Sequence, residues 1–352
     1  MAIFLYHVFH LCIYGTGDHI QRNQSDITEY ILLGFGELPY LQTFMFLFCC
    51  IVYISTLIAN FLAILLIVTD QHLHTPMYYF LVNLSCLEIL SSSAILPKML
   101  ACLVTGDKSI SFKGCMTQCY VLNLLMGTEC YLLSVMAYDR FLAICRPLHY
   151  ATLMNGKFCI QLVCGSCINS IVFSSVYLPL ELEGLHYCAS REIDHFFCEA
   201  YAVGTLSWSC SRVLSLVTLT VAFVFSIPPF LLTLISYVYI ISAILRIPTT
   251  TGRQKAFSTC SSHLIVVSMF YGAIIIVYLI PKMETTKILN KIFALLYTVL
   301  PPIVNPLIYS LRNKDVKDAL RKFVWKIKQK HFQVRGTNPD PLFHVHVKEL
   351  YG

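Results

Sequence analysis

Seven stretches of this 352-residue chain are long, apolar and nearly free of charge, and no other feature limits its fold so tightly. Residues 41–69, 158–180, 213–245, 256–281 and 292–311 contain no Asp, Glu, Lys or Arg; 77–97 and 114–138 contain one acid each, Glu88 and Glu129. Each is long enough to cross a bilayer, which takes roughly 20 residues. Charged residues make up 12% of the chain, about half the share of an ordinary soluble domain. The expected fold is therefore all-α: an integral membrane bundle of seven transmembrane helices. Prolines at 179, 228, 229, 301, 302 and 306 fall in or at the ends of spans, where packed neighbours can satisfy the carbonyls they free. No period of repetition and no second domain appears.

Orientation follows from the bases. Loops 70–76, 139–157 and 246–255, with the C-terminal tail, collect 16 of the 25 Lys and Arg against six acids. The other side holds nine bases and 11 acids, so the basic side is expected in the cytoplasm and the N-terminus outside. The net charge of +6 belongs to this asymmetry; no basic, aromatic-studded stripe points to nucleic acid. Asn23-Gln24-Ser25, a glycosylation sequon, lies in the expected outside tail. The 181–212 loop carries Cys188, Cys198 and Cys210, and Cys115 opens the third span on the same side. An even set of four in an oxidising compartment suggests two disulfides, with three pairings open. His195-Phe-Phe-Cys198-Glu199 has metal-like spacing, but Cys198 is better used in a disulfide, and no metal site is expected. Residues 1–15 are apolar yet lack the basic start and cleavage site of a signal peptide; they read as a poorly ordered extension. The stretch after Lys330 reads as disordered tail.

Motifs at the span ends then narrow the class. Met136-Ala-Tyr-Asp-Arg-Phe-Leu-Ala-Ile-Cys145 closes span three, followed by Arg146-Pro-Leu-His-Tyr150. Leu73-His-Thr-Pro-Met-Tyr-Tyr-Phe-Leu81 opens span two, Lys255-Ala-Phe-Ser-Thr-Cys-Ser-Ser-His-Leu264 opens span six, and Asn305-Pro-Leu-Ile-Tyr309-Ser-Leu-Arg-Asn313 closes span seven. In order and in register over about residues 22–330, these resemble the olfactory (odorant) receptors, a branch of the rhodopsin-like G-protein-coupled receptors. Ala59 before Asn60, Glu88, and the extensions at both ends depart from the usual pattern.

The resemblance implies an outside tail over 1–40, a receptor domain over 41–311, and a cytoplasmic tail over 312–352 whose basic start forms a short amphipathic helix on membrane lipid. It implies a plasma-membrane receptor, not an enzyme, that binds a small organic odorant and activates a heterotrimeric G protein of the stimulatory type, raising cyclic AMP. It implies a Cys115–Cys198 disulfide, which leaves Cys188 for Cys210. Arg140 is a permanent charge beside Asp139; a change of partner from Asp139 to Tyr237, Tyr309 or a docked protein makes a two-state switch. Glu88 and Glu129 are expected to hold Na⁺ with Asn305 nearby, or to share a proton. Carried over position by position, the ligand cavity takes Leu122, Asn123, Met126 and Gly127 from span three, with Val221, Phe225, Tyr271, Tyr278 and Thr298. That lining bears no formal charge and suits a neutral ligand. His263 reads as a packing or gating residue. A transporter would need more than two buried acids for a pathway and shows no inverted repeat. An intramembrane enzyme would need a nucleophile or metal constellation at one depth. An amine receptor is disfavoured by the lack of an acid in the outer half of span three.

Overall fold

Inside hydrocarbon a backbone N–H or C=O has no water to turn to, so each spanning segment closes its own hydrogen bonds as a helix. The computed structural model describes residues 28–34, 36, 39–186, 191–208, 212–279, 287–312 and 314–335. In chain order its helices are α1 Pro39–Thr69, α2 Pro76–Thr105, α3 Phe112–Cys145, α4 Pro147–Leu153, α5 Gly156–His186, α6 Ala200–Trp208, α7 Arg212–Leu245, α8 Thr250–Leu279, α9 Lys287–Arg312 and α10 Lys314–Arg335. The seven longest before the tail, α1, α2, α3, α5, α7, α8 and α9, coincide with the seven apolar stretches. Five of them are long and apolar enough to span on their described residues alone, and α8 and α9 carry shorter apolar segments, Cys260–Gly272 and Lys291–Pro306.

Local sequence sets the ends. Thr75 and Pro76 start α2, with proline at the first helical position where no N–H is needed. Gly106, at φ +71°, stops it in the left-handed conformation that glycine adopts at least cost. Ser111 caps α3, its Oγ accepting from the Gly114 N–H at 3.1 Å. Asp70 caps a 3₁₀ turn over Gln71–Leu73 in the same way, accepting from His72 N–H at 3.1 Å. That accepting bond and the Lys322 ammonium hold the Asp70 carboxyl below its ordinary pKa, against a desolvation that pushes it up.

One helix is the axle of the bundle. Of the apolar stretch of α3, 61% is buried, against 22–33% for the corresponding stretches of α1, α2, α5 and α7. The outer helices turn Phe44, Ile51, Ile58 and Phe61 of α1, and Phe223, Ile235 and Tyr239 of α7, outward as expected of lipid-facing surface. Small residues let backbones approach: Ser166, Ser170 and Ser174 line the buried stripe of α5, one per turn. Ser166 and Ser170 return their hydroxyls to the carbonyls of Leu162 and Ser166.

The end of the bundle that carries the disulfide holds an element absent from the sequence reading. Residues 29–32 form strand β1 (Glu29–Leu32), antiparallel to β2 (Ser109–Ser111) and parallel to β3 (Glu192–Ile193), in the order β2-β1-β3. Tyr30 and Leu32 are buried while Ile31 is exposed, the alternation of a strand with one covered face. The 1–40 segment is therefore not a free tail throughout. Lys291 fastens this cap to α9, its Nζ donating to Gly34 O at 2.7 Å and to Asp194 Oδ1. Two loop helices, α4 and α6, were likewise not anticipated, and α10 runs 22 residues, longer than the short tail helix expected.

Cys115 and Cys198 are bonded, Cα atoms 5.3 Å apart, tying the start of α3 to the loop before α6. The bond closes a separation of 83 residues. Non-reducing peptide mapping should recover these two cysteines joined. Cys115→Ser should lower stability by about 2–4 kcal/mol, read as a lower Tm and a smaller surface yield.

Candidate functional site

The α3 axle carries one candidate element near its middle and another at its far end. In the middle, Leu122, Asn123, Met126 and Glu129 share a stripe at helical spacing and line an internal cavity. From α2 come Glu88, Ser91 and Ile95, again at i, i+3 and i+7. Phe270 of α8 and Thr298, Pro301 and Pro302 of α9 make the opposite side, and Phe197, Glu199 and Ala200 make the roof. The roof is held by the disulfide and by Gln118, whose Oε1 accepts the Cys198 N–H at 3.0 Å while its Nε2 donates to Ala94 O on α2 at 2.8 Å. His195 Nε2 sits 3.3 Å from Glu199 Oε1, with its ring edge-on to Phe197 at 4.7 Å. Burial holds the His195 pKa below its ordinary value, and the Glu199 charge opposes that shift.

Of the expected lining, Leu122, Asn123, Met126 and Thr298 meet in this cavity together with Glu88 and Glu129. Four others face elsewhere. A Cβ on Gly127 would lie 3.0 Å from Ser170 Oγ and 3.3 Å from Ser170 Cβ, so this glycine is where α3 meets α5. Val221 is buried with Tyr177 and Leu180 of α5, and Phe225 packs on Phe173 with ring centres 5.3 Å apart. Tyr271 turns to Cys130, Oη to Sγ 3.4 Å, and to the Phe230 ring; Phe270, one residue earlier, faces the cavity. The side chain of Tyr278 lies outside the described residues, as do the side chain of Tyr309, Asn23, and the Cys188–Cys210 pair. The expectation of a lining without formal charge is corrected: three carboxyl groups, Glu88, Glu129 and Glu199, stand on its walls. Glu199 was legible only as a neighbour of Cys198; the disulfide carries it over the cavity.

Glu88 is 2% exposed and accepts from Asn305 Nδ2, so the expected proximity of those two residues is real. Glu129 is 8% exposed, and its Oε1 has no hydrogen-bonding partner among the described residues. Cys198 has spent its sulfur on the disulfide and offers no thiolate to a metal beside His195 and Glu199.

At the far end of α3, Asp139 is 1% exposed and takes three bonds. Arg140 donates to its Oδ2 from Nε at 3.0 Å and from Nη2 at 2.6 Å, and Tyr150 of α4 donates to Oδ1 at 2.8 Å. Desolvation and the Asp139 charge both raise the Tyr150 pKa, keeping that hydroxyl protonated and donating. The Tyr237 hydroxyl pairs with His263 Nδ1, the two rings stacked 5.8 Å apart. Chemically this is a closed latch: a guanidinium and a phenol on one buried carboxylate, with a neighbouring tyrosine engaged elsewhere.

The family model described as "Olfactory receptor" matches residues 48–327. Olfactory receptor 9K2 of Homo sapiens is 43% identical over 88% of this chain and 92% of its own length. Olfactory receptor 1f45 of Rattus norvegicus is 44% identical over 85% of this chain and 96% of its own, and Olfactory receptor 13D1 of Homo sapiens is 44% identical over 92% and 94%.

The position of Gly127 makes a specific prediction. Gly127→Phe forces α3 from α5 and should lower surface level and Tm, whereas Gly127→Ala, which needs Ser170 to give only a few tenths of an ångström, should cost about 1 kcal/mol or less. Odorant potency per receptor at the surface should be unchanged in the Ala variant.

Proposed function

The chain belongs to the olfactory receptor family, and we propose on that premise that it couples a small organic ligand in the α2–α3–α8–α9 cavity to a G protein at the Arg140 end. It is a multi-pass protein of the plasma membrane and an odorant receptor, not an enzyme. The proposal concerns how. The carrying observation is that one buried helix, α3, holds both the cavity wall and the latch. Met126 and Arg140 are 14 residues apart, roughly 21 Å along a rigid rod. A ligand that binds the unlatched arrangement better shifts the population toward it, by as much as its difference in affinity.

In this reading the disulfide end and the N-terminus face outside, and the basic Arg140 end faces the cytoplasm, as the Lys and Arg distribution requires. Opening the latch frees Arg140 for Tyr237, Tyr309 or the docking G protein, of the stimulatory type that raises cyclic AMP. The basic helix α10 lies along anionic lipid, fastened by Lys322, whose Nζ is 3.6 Å from Asp70 Oδ2. Without ligand, Glu88 and Glu129 would hold Na⁺: both line the cavity, and carboxyl oxygens suit a hard cation. Asn305 turns its N–H₂ to Glu88 and in this arrangement is not a third oxygen ligand.

The test is a cyclic-AMP assay against an odorant panel, with surface level measured in parallel. Arg140→Ala should reach the surface and lose signalling. Asp139→Asn should raise activity without ligand. Tyr150→Phe should do so more weakly: it removes one hydrogen bond to a carboxylate, about 1.5–3 kcal/mol, which moves the latch equilibrium by roughly tenfold or more. Normal signalling by Arg140→Ala at equal surface level would reduce the latch to a topological anchor.

A further inference from the structure

One atom on the cavity wall stands out chemically. Glu129 is buried and lines the cavity, yet its Oε1 accepts nothing from the described residues. Of the other two carboxyl groups there, Glu88 accepts from Asn305, and Glu199 Oε1 lies 3.3 Å from His195 Nε2. Ile95, Met126 and Phe270 supply apolar wall, and no Lys, Arg or His is among the described lining.

We propose that the ligand of this cavity is an amphiphile with an O–H or N–H donor at one end, an aliphatic alcohol or amine, and that Glu129 Oε1 receives that donor. The assignment rests on the cavity being the ligand site. Three facts carry it. In its ionised form Glu129 is acceptor-only, so the group that its free oxygen lacks is a donor. When ionised, these three carboxyls repel a carboxylate ligand, and no cation among the described lining offsets them, so carboxylates are disfavoured. The geometry also gives the ligand its shape. Glu129 lies seven residues beyond Leu122 on one stripe of α3, roughly 10 Å along the axis, so a donor on Glu129 leaves an extended apolar tail running toward Phe197 and the roof. A ligand ammonium and Na⁺ would compete for the same oxygen.

The experiment uses the full chain purified in lipid nanodiscs, with thermal denaturation followed at increasing 1-octanol, 1-octylamine, octyl methyl ether and octanoate. The ether matches the alcohol in apolar length and lacks only the donor, which controls for partitioning into lipid. In the wild type, 1-octanol and 1-octylamine should raise Tm, with the ether about tenfold weaker and octanoate inert. Glu129→Leu should erase the difference between alcohol and ether. Glu129→Gln, which keeps the shape and a carbonyl acceptor but no charge, should retain 1-octanol and weaken 1-octylamine. The proposal is overturned if the ether binds as well as the alcohol, if the alcohol's advantage survives in Glu129→Leu, or if no probe shifts Tm. Cyclic-AMP responses of the same chain separate this from the receptor reading. Responses confined to esters and ketones would keep the receptor and sink the donor assignment, whereas silence toward every odorant at full surface level would sink the receptor reading itself.

Discussion

Everything in this bundle depends on satisfying backbone carbonyls that have no water to turn to. A proline within a helix withholds the N–H that the carbonyl four residues earlier expects, and α7 and α9 each contain such prolines. Pro229 abandons the carbonyl of Phe225, and Tyr131 of α3 fills the place with its hydroxyl at 3.0 Å. Pro306 abandons that of Pro302, and Asn60 of α1 donates to it at 2.9 Å. Each repair is a cross-helix bond, so the prolines that weaken single helices bind pairs of them together. In hydrocarbon the alternative is an unpaired polar group costing several kcal/mol.

The cavity is a consequence of the same economy of polar groups. Gln118 spends both ends of its amide, one on α2 and one on the Cys198 backbone, and the disulfide adds a covalent tie four residues from the start of α3. With the roof fixed, Glu199 and Phe197 have no freedom to leave, and His195 is drawn in with them. Carboxyl groups thus stand at both ends of an otherwise apolar space. Such a site binds by its few polar atoms and selects by which of them remain unfilled.

A second cluster of buried polar groups lies at the opposite end of α3. Asp139 is satisfied by Arg140 and Tyr150 together, and a buried charge that loses its partner is expensive. The latch is therefore stable while closed and needs replacement partners before it can open. Tyr237 of α7 is held by His263 of α8, which ties those two helices together.

Periodic and compositional features were readable from the chain itself: seven spans, the shared face of Leu122, Asn123 and Met126, the Asp139–Arg140 pair, and the meeting of Glu88 with Asn305. Hydrophobicity over 20 residues and helical spacing are local properties, and local properties survive in a one-dimensional string. The remainder needed the packed bundle. Strand β1 is four residues long, with partners about 80 and 160 positions away, and nothing nearby marks it. Which residue of α8 faces the cavity, Phe270 rather than Tyr271, depends on rotations of about 100° per residue that an apolar stretch does not encode. Gly127 reads as empty space in the sequence and becomes a helix contact only because Ser170 lies opposite it. The carboxyl groups of the cavity were also a tertiary decision: Glu199 belongs to a polar loop, and the Cys198–Cys115 bond, with Gln118, brings it over the cavity.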